Sequence, residues 1–526
     1  MQYKVIIPSA GLGARLKNLS KHVNKSLVTV GNKPVISHII EKFPDDVEIV
    51  VPVGYKKDTV KDYLSFAHPE RRIETVDIDS FEGKGSGLGL TLLKCAKLLQ
   101  CPFIFSANDT LVKENIPTPE ANWMGYAEVC NTEEYRAIEF DQFEKITDIL
   151  SKGVSGQNVK PYIGLAGVYD YKLFWEAMNE GQQKGAIEIG ESYGLKFLMA
   201  RNISAKRFTW YDTGNLDSLE KARRIYQEES DPIILDKPDE AIWFVNGKVI
   251  KFSIDSKFIS NRVKRATFLA KYIPKVTNYS KNMYVYTKVK GEMFSKNPTV
   301  EKFAYFLDWM DTFWTKKNLP NEEIREFQAK NLEFYKDKTY SRVYHYFERF
   351  EQIDSKEIIN GVEIPKLAKI LEMVNWQHLS NAMPYRIHGD LHFENILINE
   401  TGNPPFTLLD WRQEYAGNLE YGDIYYDFAK LNHGFIICHE LINNNLYKVH
   451  HKLSFIDFDF LRKSSLVECE IYFKEYLNTK GFDYKKVEML TALIFLNIAT
   501  LHHYPYSSLL FYLGKSSLYR SLNSSS

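Results

Sequence analysis

The feature that most constrains this chain is an alternation that begins at its first residues. Short apolar runs, YKVIIPS, VEIVVPVG and PFIFSAND, take turns with segments of helical spacing, KPVISHIIEKF, KKDTVKDYLSFA and LTLLKCAKLL. Strands separated by helices cannot pair as tight hairpins, so the pattern predicts a parallel sheet covered on both faces. Ligands of such sheets bind beyond the carboxyl ends of the strands. Two glycine-rich loops, SAGLGARL and GKGSGLG, fall on that edge, as does Asp109.

The first of these loops nearly matches a dinucleotide fingerprint. Gly11 and Gly13 fit G-x-G-x-x-G, but Leu16 stands where the third glycine belongs. A glycine turn after a strand lets backbone N–H groups approach a phosphate. Arg15 and Lys25 add positive charge on the same edge, and Asp109 and Asp212 each end a strand-like run. Taken singly, these residues have plain structural explanations as a tight turn, a solvated lysine and helix caps. Taken together, they suit attack of a phosphate oxygen on the α-phosphorus of a nucleoside triphosphate. Backbone donors, Arg15 and Lys25 would neutralise the departing pyrophosphate. Asp109 and Asp212 would hold Mg²⁺, a hard ion that takes oxygen ligands.

On these motifs, residues 1–228 resemble the sugar-phosphate nucleotidyltransferase family. Ala10, Gly11, Gly13 and Arg15 match its opening signature, and Lys25 and Leu27 its lysine motif. Asp109 matches its first metal aspartate, and Trp210, Asp212 and Gly214 match W-x-D-x-G. The resemblance implies a Rossmann-like doubly wound α/β fold. It also implies that Gly85, Ser86 and Gly87 contact the nucleotide and that Gly164, in YIGLAGVYDY, lies against the substrate. The sequence departs from the family at Asn24, where proline is usual, and at Pro8 and Ser9. The base, among UTP, CTP and GTP, stays open.

The pattern changes at EESDPIILDKPDE, read as a linker over 229–240. IWFV-NG-KVIKF follows, two β-rich runs joined by Asn-Gly, which predicts a type I′ hairpin. MYVYTKVKG is a further strand. From Glu301 onward the chain reads as helical and aromatic, interrupted by ILIN and FTLLDW. A small sheet followed by a larger helical part predicts a two-lobed α+β domain over 241–520, and the serine-rich end is expected to fray.

The chemistry of this half sits in RIHGDLHFENILI and FTLLDWR. His388, Asp390 and Asn395 form H-x-D-x-x-x-x-N, and Asp410 follows a strand. In such a loop the aspartate accepts a hydroxyl proton, while the asparagine and the later aspartate serve Mg²⁺. Lys251, on the second strand of the hairpin, is placed to meet nucleotide phosphates. This half resembles the aminoglycoside phosphotransferase and choline kinase family. That resemblance implies a protein-kinase-like fold, ATP as donor and Asp390 as the catalytic base. It gives Asp423 and Asp427, in EYGDIYYDFAKL, a bracing role. Two features depart from the family: no glycine-rich loop precedes Ile242, and SKFISNRVKRATFLAKY lacks a glutamate to pair with Lys251. His392 is expected to pack. The cluster FAYFLDWMDTFW could cage a choline-like ammonium, but its helical spacing favours core.

Composition bounds the partners. The chain carries 67 basic and 67 acidic side chains, so no nucleic-acid or anionic-membrane footprint stands out. No apolar run is long enough to span a bilayer. The five cysteines have no disulfide or zinc spacing, which with the absence of a leader pattern points to a reducing, cytoplasmic setting. The two resemblances together imply a bifunctional enzyme. One half would phosphorylate a small hydroxyl compound, expected to be a sugar at C1, and the other would join the product to a nucleotide for surface polysaccharide or glycoconjugate synthesis. The alternatives are a choline or amino-alcohol kinase fused to a CTP-dependent cytidylyltransferase, and one catalytic half regulated by a nucleotide-sensing pseudoenzyme.

Overall fold

The computed structural model describes residues 2–83, 85–129, 134–154, 156, 158–227 and 239–524. The expected linker lies outside the described residues except for Asp239 and Glu240. The chain forms two compact units, Met1–Ile259 with Thr277–Lys288, and Ser260–Val276 with Val289–Ser526.

The first unit is built on a nine-stranded sheet. β1 (Lys4–Ile6) lies between β2 (Glu48–Val53) and β4 (Phe103–Ser106), and β2 pairs with β3 (Ile73–Asp77), all in parallel. Val5, Ile49, Val51 and Ile104 face one hydrophobic cluster, while Ile6, Val50, Phe103 and Phe105 face another. Burial on both faces explains why these strands read as unbroken apolar runs. The sheet is mixed beyond β4, where the sequence predicts a parallel one. β5 (Val159–Val168) runs antiparallel to β4, and the hairpin Ala137–Phe140/Ile146–Leu150 continues from it. The two hairpin strands are joined by the short segment 141–145, and so short a connection forces antiparallel pairing.

The Asn-Gly hairpin forms as the sequence predicts. β6 (Glu240–Val245) pairs with β7 (Lys248–Ser253), and Asn246 and Gly247 take φ of 49° and 69°. The sequence assigns this hairpin to the second domain, but its packing is with the first unit. Trp243 is fully buried against Tyr63 and donates its indole N–H to the Leu27 carbonyl at 3.1 Å. Asn246 and Lys248 donate to the carbonyls of Ala67 and Phe66 at 3.0 and 2.8 Å. Those carbonyls end the helix α1 (Lys57–Ala67), which cannot satisfy them internally.

In the second unit, Phe303, Phe306, Met310 and Phe313 of the helix Val300–Phe313 are fully buried. Phe303 and Phe306 pack among Phe294, Phe393 and Phe406, so the aromatic cluster is core and forms no cage. A four-stranded sheet that includes Glu357–Ile359, Tyr447–Lys452 and Phe455–Phe460 was not foreseen. The last helix runs from Tyr506 to Asn523, into the serine-rich end expected to fray. Among the described residues, no helix is long and apolar enough to cross a membrane.

Candidate active sites

The first site lies at the carboxyl ends of the parallel strands. Ser9 bridges to Val53 just beyond β1, and the Tyr55 N–H donates to the Ala10 carbonyl at 2.9 Å. The chain then turns through Gly11 to Gly13, whose φ is 68°. A Cβ on Gly13 would lie 2.7 Å from Lys25 Cβ, so glycine is required here both by conformation and by space. Asn24 caps the short turn Lys25–Leu27 by accepting from the Ser26 N–H at 3.0 Å. Lys25 Nζ is thereby held 2.9 Å from Asp109 Oδ2, and Arg15 Nη2 lies 4.0 Å from the same oxygen.

Asp212 joins this cluster around Gly214. A Cβ on Gly214 would meet Asp212 Oδ1 at 3.0 Å, and both Arg15 Nη2 and Asp109 Oδ2 at 3.2 Å. Asp212 also accepts from the Gly214 N–H at 2.9 Å and from the Tyr135 hydroxyl at 2.9 Å. Burial raises the Asp109 carboxyl, but Lys25 and then Arg15 outweigh it and hold the group below its ordinary range. The Asp212 carboxyl is raised, first by burial and then by the charge on Asp109. A divalent cation between two such carboxylates would relieve that repulsion, so the donor set fits Mg²⁺. Among the described residues, no group of three or more His, Cys, Asp or Glu is arranged to hold a metal. Two protein carboxylates suit Mg²⁺, which completes its shell from phosphate and water.

The second glycine loop follows β3 and opens α2 (Leu88–Cys95), on the same edge of the sheet. Gly85 has φ of 85°, and Ser86 turns its hydroxyl back to the Gly83 carbonyl at 2.7 Å. A Cβ on Gly87 would lie 2.3 Å from the Ile187 carbonyl oxygen, so close backbone packing alone accounts for that glycine. Gly164 sits where the pairing of β5 with Trp123–Tyr126 shifts register, with φ of 72°. The carbonyl of Gly164 accepts from the Ala107 N–H at 2.8 Å, two residues before Asp109. A bulge of this kind re-aims a strand beside a site.

The second site is centred on the loop from His388 to Asn395 in the second unit. The buried Asp427 braces it. Its carboxylate accepts from the N–H groups of His388 and Gly389, at 2.8 and 2.7 Å, and from the Trp314 indole at 3.1 Å. Burial pushes the Asp427 carboxyl up to about 6. Asp423 is a second brace, accepting from the Met383 N–H and the Tyr335 hydroxyl. Asp390 is the carboxylate of this loop that the sequence marks as the expected base. Burial would raise it, but Lys430 Nζ, 2.8 Å from Oδ1, and the imidazole of His392 hold it well below the ordinary range. Asn395 donates its amide to the Asp390 carbonyl at 2.9 Å, leaving its own carbonyl oxygen as a ligand atom for Mg²⁺.

Asp410 follows the strand Phe406–Leu408 with φ of 57°, a conformation that is uncommon outside glycine. Its Oδ1 accepts from Arg262 Nη1 at 2.6 Å. Arg262 belongs to α3 (Ser256–Phe268), the helix from which the expected glutamate is missing. Lys251 lies on β7 of the first unit and is 8% exposed. Asn395 and Asp410 are oxygen donors, and they too fit Mg²⁺.

Lys430 and Arg262 are not among the residues that the sequence motifs mark as functional. Lys430 lies three residues after Asp427 on α4 (Ile424–Ile436) and so shares its helical face. That spacing was the available signal. Nothing local marks Arg262, because its partner is 148 residues away.

Known proteins of two kinds match the chain. Residues 279–440 match the phosphotransferase enzyme family. The bifunctional protein GlmU of Methanocaldococcus jannaschii is 26% identical over 256 residues, covering 47% of this chain and 59% of its own length. The choline-phosphate cytidylyltransferase of Streptococcus pneumoniae is 30% identical over 179 residues, covering 33% of this chain and 70% of its own. This chain spans 39% to 59% of the length of the first GlmU relatives it matches. A solved CTP:phosphocholine cytidylyltransferase of Streptococcus pneumoniae aligns with 43% of the chain and all of its own length, at 18% identity and a TM-score of 0.37. A UDP-glucose pyrophosphorylase bound to UDP-glucose aligns with 43% of the chain, at 19% identity and a TM-score of 0.38.

Proposed function

Through its N-terminal part the chain belongs to the nucleotidyltransferase family that includes choline-phosphate cytidylyltransferase, and from that premise we propose a bifunctional activating enzyme. The second unit phosphorylates a small hydroxyl compound with ATP. The first unit then joins that phosphate to a nucleoside monophosphate and releases pyrophosphate. The observation that carries this reading is the gathering of Lys25, Arg15, Asp109 and Asp212 around Gly214 in a chain that also holds Asp390 against Lys430.

In the first unit, the glycine loop offers backbone N–H groups to the triphosphate, and Arg15 and Lys25 balance the charge that leaves with pyrophosphate. Asp109 and Asp212 would hold Mg²⁺, which would supply Lewis-acid polarisation of the phosphate. Orientation by these groups lets the acceptor phosphate approach the α-phosphorus in line. In the second unit, Asp390 is kept ionised and accepts the proton of the acceptor hydroxyl. Asp427 fixes the loop, so the Asp390 carboxylate meets the acceptor without reorganising. Asn395 and Asp410 would hold Mg²⁺, which would offset the charge of the ATP phosphates. Gly85, Ser86 and Gly87 meet the nucleotide of the first unit.

The preferred acceptor is a sugar, phosphorylated at C1 and destined for surface polysaccharide or glycoconjugate synthesis in the cytoplasm. The 30% identity with choline-phosphate cytidylyltransferase favours a second reading, in which an amino alcohol is phosphorylated and activated with CTP. Pyrophosphate release by the full chain tests the first step of discrimination. The assay crosses UTP, CTP and GTP with glucose 1-phosphate, galactose 1-phosphate and phosphocholine. Turnover of a sugar phosphate supports the preferred reading, and turnover of phosphocholine alone supports the second.

A further inference from the structure

Beside Asp390 the second unit holds a group of imidazoles that the mechanism does not use. His392 and Glu394 lie two and four residues after Asp390, with His392 Nδ1 2.9 Å from Glu394 Oε2. His439, at the start of the short helix His439–Asn443, brings Nδ1 to 3.7 Å from Glu394 Oε1. Its ring lies 5.6 Å from that of His392 and 6.5 Å from that of His433. His433 is on α4, the helix of Asp427 and Lys430. It is 4% exposed, yet neither ring nitrogen has a hydrogen-bond partner. The buried hydroxyl of Tyr506 is unpartnered as well. A buried polar group left unsatisfied costs about 1–3 kcal/mol and calls for an explanation.

We propose that His392, Glu394, His433 and His439 form the acceptor site of the phosphotransfer, and that it takes a neutral polyhydroxylated molecule, a sugar or a polyol. The inference rests on the kinase reading above and narrows its substrate.

Three observations carry it. The cluster adjoins the reactive carboxylate, because the Asn395 amide contacts both the Asp390 carbonyl at 2.9 Å and His392 Nε2 at 3.1 Å. It reaches solvent, since the His439 side chain is 40% exposed. Both carboxylates already have nitrogen partners, Asp390 in Lys430 and Glu394 in His392 and His439. An alkylammonium would therefore find no unpartnered carboxylate to balance its charge, and a quaternary one has no N–H to offer His433. A neutral imidazole presents one donor and one acceptor, and a hydroxyl matches both. Burial keeps His433 neutral, well below its ordinary range. In the reaction an acceptor hydroxyl oxygen bonds to the γ-phosphorus of ATP, the bond to the ADP oxygen breaks, and the hydroxyl proton passes to Asp390.

The test measures ADP release by the full chain with two sets of acceptors. Glucose, galactose, mannose, ribose, glycerol and ribitol make the neutral set, and choline and ethanolamine the cationic one. Turnover is expected in the neutral set alone. His433→Leu should raise the acceptor KM at least ~10-fold, leaving the KM for ATP and pyrophosphate release by the first unit unchanged. His433→Gln should recover part of the loss. If His433→Leu unfolds the second unit, His439→Ala at the solvent side should give the same KM shift. Turnover of choline or ethanolamine without any neutral acceptor overturns the inference but leaves the kinase reading intact. An unaltered acceptor KM in folded His433→Leu overturns it too. Turnover of neither set overturns the kinase reading, and the inference with it.

Discussion

The side-chain amide of Asn24 donates to the carbonyl of Ser9 at 2.9 Å, tying the turn that carries Lys25 to the strand end that opens the glycine loop. The same amide donates to the Tyr55 carbonyl at 2.8 Å, and its oxygen accepts from Ser26. A residue that departs from the family pattern thus holds both sides of the glycine loop together. Asn24→Ala leaves buried carbonyls without donors and should destabilise the first unit by about 2 kcal/mol. Asn24→Pro, which restores the family residue, has no side-chain amide and should lose similar stability. Thermal melts of the full chain measure both, and an unchanged midpoint in either would refute the bracing role.

The motifs of both sites were legible in the sequence because each is a short loop set by local geometry. Gly13 and Asp109 follow strands that the apolar runs announce, and Asn395 directly precedes the short strand Ile396–Ile398. The bracing role of Asp427 came from the family resemblance of EYGDIYYDFAKL. The placement of the Asn-Gly hairpin was not legible. It depends on Trp243 entering a site made by Tyr63 and Leu27, residues about 180 to 216 positions away. Periodicity carries no information about such pairs. The antiparallel half of the sheet was hidden for a similar reason, since β5 is long and apolar whichever direction it runs.

Gly11 and Gly13 should respond differently to a methyl group. No atom lies within 4 Å of a Cβ built on Gly11, whereas Gly13 combines a φ of 68° with a 2.7 Å approach to Lys25 Cβ. Gly11→Ala should melt as the parent does. Gly13→Ala should lose about 1–2 kcal/mol from the left-handed conformation alone. It should also displace Lys25 and so lower pyrophosphate release by about 10²-fold, with phosphorylation unaffected.

Lys430 should position Asp390 through their 2.8 Å ion pair. Lys430→Met removes the charge and should lower kcat for phosphorylation about 10²-fold, with a smaller effect on the KM for ATP. Lys430→Arg keeps the charge and should recover part of that loss. Equal damage from both substitutions, with melting temperatures unchanged, would argue against an electrostatic role.

The stability of the first unit should depend on pH through His68. His68 follows the end of α1, and its ring brings Nε2 to 2.7 Å from the Ser37 hydroxyl and Nδ1 to 3.3 Å from the Asn246 amide. Burial, with help from Arg71, lowers its pKa from an ordinary 6.5 to about 4. The unfolded chain therefore takes up a proton below pH 6.5 that the folded one refuses until about pH 4. Stability is complete above pH 6.5 and falls as pH drops toward 4, by at most about 1.4 kcal/mol per pH unit. Melts of the parent and His68→Gln between pH 7.5 and 5 should show a shallower decline in the variant.

The central claim is that one chain carries two independent phosphate chemistries, and paired substitutions test it most directly. Phosphorylation and pyrophosphate release are measured on the same preparations of Asp390→Ala and Asp109→Ala. The account requires Asp390→Ala to abolish phosphorylation and spare nucleotidyl transfer, and Asp109→Ala to do the reverse. Loss of both activities in either folded variant would contradict it.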